Sequence, residues 1–131
     1  MITLTVKSQA RNEFINITSQ IENAVKTSGV QKGYCLLYVP HTTAGITVNE
    51  GADPSVKEDI LDFLAREVPP RKMYRHSEGN SDAHIKSSLI GVSQVVLIEN
   101  GRLLLGTWQA VFFCEFDGPR TRKVLLQTVE T

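Results

Sequence analysis

Three imidazoles, His41, His76 and His84, are all that 131 residues contain. Each falls outside the apolar runs, among small or polar neighbours, where side chains can converge on a cavity. Near neutral pH an imidazole serves either as a neutral metal ligand or as a general acid or base. Spacing leaves both open: His76 and His84 are eight apart, not the four that places two ligands on one helix face, and no Cys pair flanks them. The stretch from His76 to His84 also holds Glu78 and Asn80. Upstream, His41, Thr43, Thr47 and Asn49 alternate with Ala44, Ile46 and Val48, so a strand would put the polar set on one side. Neither Lys nor Glu occurs there before Glu50. Imidazole, amide and hydroxyl without bulk charge suit a recessed polar pocket, although a solvated sheet face has the same period. Asp53 before Pro54 reads as a helix N-cap, whose free N–H groups would also accept an anion.

Near the C-terminus, Thr107, Gln109, Val111, Phe113 and Glu115 fall on one side of a strand. Glu115 and Asp117 emerge from the apolar run Phe112-Phe113-Cys114. A carboxyl there either has a raised pKa through burial or is ionised beside Arg120 or Arg122. Gly118-Pro119-Arg120-Thr121-Arg122 presents two planar guanidiniums on a turn, suited to phosphate or carboxylate. A rim ion pair with Glu115 or Asp117 accounts for them equally well. The lone Trp108 is expected in the core. No Gly-Lys-Ser/Thr phosphate loop, no GxGxxG and no GxSxG elbow is present. That excludes P-loop NTPases, the usual dinucleotide enzymes and α/β serine hydrolases. Acid/base or metal-assisted chemistry on a small phosphorylated ligand is left.

The elements that must hold these residues alternate irregularly. Strands are expected at Ile2–Val6, within Asn12–Thr18, and over Gly33–Val39, an apolar run read as covered on both faces. A capping box, Ser19-x-x-Glu22, should open a helix carrying Ile21, Ala24 and Val25 and stopped by Gly29. The helix after Asp53 carries Val56, Ile60, Phe63 and Leu64 and ends near Pro69-Pro70. A polar loop should follow over 71–81, then a short helix capped by Ser81 or Asp82, with Ile85 and Leu89 on its apolar side and Gly91 as its stop. Gln94–Glu99, an Asn100-Gly101 turn, Leu103–Leu105, Trp108–Phe116 and Lys123–Val129 complete a strand-rich chain. The class is α+β: one domain over 1–131, about three helices and a mostly antiparallel sheet or sandwich core.

Composition narrows the partners. Fourteen Lys+Arg balance fourteen Asp+Glu, with both signs interspersed, so the basic excess of a nucleic-acid binder is missing. No apolar run approaches the ~18–20 residues that span a bilayer, and Met1–Lys7 alternates rather than forming a secretory signal. Cys35 and Cys114 sit in apolar stretches and read as buried thiols of a reducing compartment, a cross-strand disulfide being the alternative. A cytoplasmic protein is expected.

Taken together, the motifs resemble a known family. Pro40-His41-Thr42-Thr43-Ala44-Gly45-Ile46-Thr47-Val48-Asn49-Glu50 with Asp53-Pro54 is similar to the first block of the YjbQ-type family of small bacterial and archaeal proteins. His76-x-Glu78-x-Asn80-x-x-Ala83-His84 resembles its second block. Gly106-Thr107-Trp108-Gln109, Glu115 and Arg120-x-Arg122 resemble its third, in the same order. The resemblance implies an α+β domain with a β-sandwich core, assembled as a homotrimer with sheets around the threefold axis. It also implies a weak, secondary thiamine-phosphate synthase activity, which joins a hydroxymethylpyrimidine diphosphate to a thiazole phosphate and releases pyrophosphate. Carried over position by position, it marks His41, Asn49, Asp53, His76, Glu78, Asn80, His84, Glu115 and Arg120 as pocket residues. We accordingly expect His41, His76, His84 and Glu115 in catalytic roles, with Thr43, Asn49, Asp53, Glu78, Asn80, Gln109, Arg120 and Arg122 binding a small phosphorylated metabolite. A divalent ion is expected on the three histidines. Nitrogen donors favour Zn²⁺, whereas a diphosphate substrate arrives with oxygen-seeking Mg²⁺.

Overall fold

The structure, a computed structural model, describes residues 1–70 and 73–131. Alternation in the sequence becomes two antiparallel sheets. Strands β1 (Ile2–Lys7), β3 (Lys32–Tyr38), β5 (Ser93–Glu99), β6 (Arg102–Leu103) and β8 (Thr121–Glu130) form a five-stranded sheet in the order β1-β8-β3-β5-β6. Strands β2 (Glu13–Asn16), β4 (Ala44–Glu50) and β7 (Gln109–Glu115) form a second, ordered β2-β7-β4. Asn100 and Gly101, both at positive φ, make the tight connection between β5 and β6.

One apolar core lies between the sheets. Cys35, Leu37, Val96, Ile98, Val124 and Leu126 face Ala44, Ile46, Val111 and Phe113 across it, and helix α1 (Thr18–Ser28) seals it with Ile21, Ala24 and Val25. A second core joins the outer face of the three-stranded sheet to helices α2 (Pro54–Glu67) and α3 (Ser81–Ile90), through Phe14, Phe112, Cys114 and Phe116 against Leu64 and Ala83. The layers are therefore sheet, sheet, helices, as the sandwich expectation required. Among the described residues no helix is long and apolar enough to cross a membrane.

Several local expectations are corrected. Helix α1 is not opened by Ser19: Asn16 Oδ1 accepts from the Thr18 N–H (3.0 Å) and hydroxyl (2.7 Å), one turn earlier. Glu22, freed from capping, accepts from the Leu103 N–H (3.4 Å). Strand β3 is covered on one face only, leaving Leu36 and Tyr38 exposed. In α2, Leu64 is buried but Phe63 is exposed. In α3 the expected face is reversed: Asp82, Ala83, Lys86 and Ser87 are buried, while Ile85 and Leu89 face outward. The helix cap is Asn80, not Ser81 or Asp82. The period-two stretch begins as a strand at Ala44, so His41 and Thr43 belong to the preceding turn. Gly45 lies beneath α3, where a Cβ would come within 2.6 Å of the Gly91 carbonyl oxygen. The polar face imagined for His41 to Asn49 is thus divided by a packed helix. Trp108 is on the surface, not in the core. Residues 71–72 of the expected polar loop lie outside the described residues; 73–80 form no helix or strand.

Candidate functional site

At one end of the inter-sheet core an ion pair ties the two sheets together. Along β8, Arg122, Val124 and Leu126 alternate inward, so the Arg122 guanidinium enters the sandwich beside Glu115, the last residue of β7. Arg122 donates through Nε to Glu115 Oε1 (2.9 Å) and through Nη2 to Oε2. The Ser8 hydroxyl donates to Oε1 (2.7 Å), and the Phe116 and Asp117 N–H groups donate to Oε2 (3.1 and 3.0 Å). Burial pushes the Glu115 carboxyl up, but the bonds from Arg122, Ser8 and the Asp117 amide outweigh it and hold the pKa below its ordinary value. Of the two alternatives left by the sequence, Glu115 is therefore the ionised partner of Arg122. Arg122 Nη2 also donates to Thr43 Oγ1 (2.8 Å), which fixes the turn carrying His41.

Over this pair opens a cavity of about 610 Å³, lined by His41, Thr43, Glu78, Asn80, His84 and both Arg120 and Arg122. Such a volume suits a small organic ligand. The N–H of Lys123 donates to His41 Nε2 (3.0 Å), so the ring's proton sits on Nδ1. Desolvation and then the nearby Arg122 charge lower the His41 pKa from its usual value. His41 is therefore a neutral donor through Nδ1–H. On the facing loop, Asn80 Nδ2 donates to Asp117 Oδ2 (2.9 Å), which also accepts from Arg120 Nη2 (2.9 Å). His84, on α3, lies edge to face with His76, their ring centroids 5.3 Å apart, and His76 Nε2 is 3.6 Å from Glu78 Oε2. A second hollow of similar volume shares Tyr38, His41, Thr42 and His84 with the first, and adds Val39 and Val92 together with Ser87, Ser88 and Gly91.

The structure thus brings together His41, Thr43, Glu78, Asn80, His84, Arg120 and Arg122 around one cavity, with Glu115 behind it. His76 sits beyond His84 and does not line that cavity. Asn49, Asp53 and Gln109 lie elsewhere. The β4–β7 register sets Ala44 opposite Glu115 and Glu50 opposite Gln109, a separation of about 20 Å along the strands. There Asn49 accepts from the Glu50 N–H, Gln109 accepts from the Gly106 N–H, and Asp53 caps α2 by accepting from Ser55. The hydroxyl and amide of Ser55 lower the Asp53 pKa. The metal expectation does not fit: His41 Nε2 is occupied by a backbone N–H, and among the described residues no three His, Cys, Asp or Glu side chains converge to hold a metal ion. Sequence reasoning missed Ser8, which carries no local signal, and Tyr38, hidden in an apolar run. Asp117 stood out only as half of an acidic pair.

Comparison with known proteins gives one consistent result. A family model described as "UPF0047 protein YjbQ-like" matches residues 2–131. The chain is 53% identical over 124 residues to a UPF0047 protein of Methanocaldococcus jannaschii, covering 95% of this chain and 90% of that one. It is 54% identical over 121 residues to the UPF0047 protein YugU of Bacillus subtilis, covering 92% of each. A crystal structure of an uncharacterised conserved protein of the YjbQ/UPF0047 family from Clostridium acetobutylicum superposes with a TM-score of 0.96 at 51% identity, covering 98% of this chain and all of the other. A YjbQ-like protein of unknown function from Sulfolobus solfataricus gives a TM-score of 0.95 at 32% identity, covering 99% and 96%.

Proposed function

Because the chain belongs to the UPF0047 YjbQ-like family, we propose that its cavity binds a small phosphorylated metabolite and that the protein is a transferase of the thiamine-phosphate synthase type. The observation that carries this is the shared wall of the two hollows. His41 and His84 line both, with Arg120 and Arg122 on the first side only and Val39 and Val92 on the second only. A phosphorylated heterocycle matches that division, its phosphate on the guanidiniums and its nitrogen-bearing ring against the mixed valine and serine wall of the second hollow. The bond between the two parts then lies beside the imidazoles. In the transfer, the ring nitrogen of the thiazole phosphate bonds to the pyrimidine's methylene carbon as the C–O bond to the diphosphate breaks, and His41 donates through Nδ1–H to the oxygen that takes up charge on the departing pyrophosphate. His84, backed by His76 and Glu78, is placed to pass a proton to the same group. Glu115 touches no ligand in this scheme; it positions Arg122.

One observation favours binding without turnover. Arg122 is paired with Glu115 and Arg120 with Asp117, which leaves little uncompensated positive charge for a leaving pyrophosphate. Pyrophosphate release from a hydroxymethylpyrimidine diphosphate and a thiazole phosphate decides between the two. The synthase reading expects turnover that falls at least about a hundredfold in His41→Ala and His84→Ala, with His76→Ala affected less and all three folded. Turnover unchanged in the histidine variants overturns it. Substrate binding without turnover leaves the binding reading.

We further propose a cytoplasmic homotrimer. The buried thiols of Cys35 and Cys114, which lie in different sheets, support the compartment. The uncovered apolar face of the five-stranded sheet supports the assembly.

A further inference from the structure

Two walls of the cavity come from separate parts of the chain. Glu78, Asn80 and His84 belong to the loop before α3 and to α3 itself, whereas Asp117 and Arg120 belong to the turn between β7 and β8. On the cavity side Asn80 Nδ2 donates across to Asp117 Oδ2 (2.9 Å). Behind the cavity both walls rest on residues 8–12, the segment between β1 and β2, none of which lines it.

The turn is seated on the backbone of that segment. The Gly118 N–H donates to the Arg11 carbonyl oxygen (3.1 Å), the Ser8 N–H donates to that of Arg120 (2.9 Å), and a Cβ on Gly118 would come within 2.3 Å of the Ala10 carbonyl oxygen. The other wall is held by a side chain. Arg11 Nη2 donates to Asp82 Oδ1 (3.0 Å), in the first turn of α3, and lies 3.5 Å from the carbonyl oxygen of Gly79, between Glu78 and Asn80. Arg11 therefore carries one wall on its backbone and the other on its guanidinium. Its side chain is 35% exposed, and the buried Asp82 has Lys86 as a second partner (3.1 Å). Without the guanidinium the carboxylate stays paired and α3 keeps its seat, but the tie to the opposite wall is gone.

We infer that Arg11 is a positioning residue, which touches no ligand but fixes the distance between the two walls, so that a phosphate on Arg120 stands within reach of His84. The inference rests on the reading of this cavity as a phosphate site. A ligand that must itself draw the walls together loses binding free energy in doing so, and a brace built into the fold removes that cost beforehand.

Inorganic phosphate tests this on the full chain, its binding followed by the NMR signals of the Arg120 and Arg122 Nε–H groups. Arg11→Ala should raise the phosphate dissociation constant at least about tenfold, and the side-chain amide protons of Asn80 should exchange with solvent faster. Arg11→Met, which retains an unbranched stem without the donors, should do the same. Lys86→Met is the contrast. It lowers the unfolding midpoint more than either, but it leaves Arg11 on Asp82, so phosphate affinity should stay within about twofold of the wild type. A merely structural role would make affinity follow the midpoint instead. Unchanged phosphate affinity in a folded Arg11 variant overturns the inference, and so does equal weakening in Lys86→Met. If phosphate fails to move the arginine signals of the wild type, the phosphate site itself falls. The Asn80 amide exchange then decides alone, and an unchanged rate in the Arg11 variants overturns the positioning role as well.

Discussion

Two side chains at the mouth of the sandwich are held in a single ionisation state by what surrounds them, and each makes stability depend on pH. His41 is kept neutral in the fold, with a pKa below its ordinary value. Its contribution is therefore complete above about pH 6.5 and is lost as the pH falls through the folded-state value. Glu115 is kept ionised, its folded pKa also lowered. Its contribution is present above the ordinary carboxyl range, about pH 4.3, and is lost at still lower pH. Urea midpoints measured from neutral to acid should fall in two stages, and His41→Gln should remove the upper one. A flat profile between about pH 7 and 5 would contradict the neutral-imidazole assignment. Glu115→Gln removes the same charge at neutral pH, strands the buried Arg122 guanidinium, and also sets an amide NH2 among the donors of Arg122, Ser8 and the Phe116 and Asp117 amides. The expected loss is about 3–5 kcal/mol, read from the unfolding midpoint at neutral pH. A loss under about 1 kcal/mol would show that the pair is not buried as described.

The sequence pattern of helix α3 points the wrong way. Ile85 and Leu89 are the apolar pair that helical spacing sets on one side, yet the chain buries Asp82 and Lys86. Electrostatics explains the reversal. Asp82 Oδ2 accepts from Lys86 Nζ (3.1 Å) and Oδ1 from Arg11 Nη2 (3.0 Å), while Lys86 also donates to Asn12 (3.3 Å). Arg11 and Asn12 come from the segment before β2, about seventy residues away in sequence, and no window along α3 contains them. Lys86→Met should cost about 3 kcal/mol, whereas Leu89→Ser should stay within about 0.5 kcal/mol. Thermal unfolding of the two variants checks this, and the opposite ranking would mean that the helix is turned as its sequence suggests. The same distinction separates what was legible from what was not. Period-two runs such as Ile2–Val6 revealed strands because one physical cause, burial of alternate residues, acts along contiguous positions. His41, Asn80, His84, Arg120 and Arg122 were legible by chemical type and by family resemblance. Their partners were not: Ser8 beneath Glu115 and the Lys123 amide on His41 come from segments far away in the sequence. Asn49, Asp53 and Gln109 share motifs with the cavity residues, but the length of β4 and β7 carries them to the far end of the sheet.

At the scale of the molecule, the outer face of the five-stranded sheet is what a single chain leaves unfinished. Helices α2 and α3 cover the outside of the three-stranded sheet, but Leu36, Tyr38, Val95 and Leu97 are exposed on the other. The register places Leu36 directly opposite Val95 and Tyr34 opposite Leu97, so these side chains form one contiguous apolar strip rather than scattered residues. The proposed homotrimer would cover this strip, since a closed ring buries the same surface in every copy. Tyr38 belongs to this face and also lines both hollows, so a neighbour seated on the sheet would border the cavity. The wild type should run in light-scattering chromatography at three times the 14.5 kDa chain mass. Leu36→Lys with Val95→Lys sets two like charges opposite each other on the strip and should yield a folded monomer. Phosphate binding should weaken in that monomer although no residue around the cavity has changed. A wild-type monomer, or a double variant that remains trimeric, would mean that this face does not hold the copies together. A monomer that binds phosphate as tightly as the wild type would separate the interface from the site.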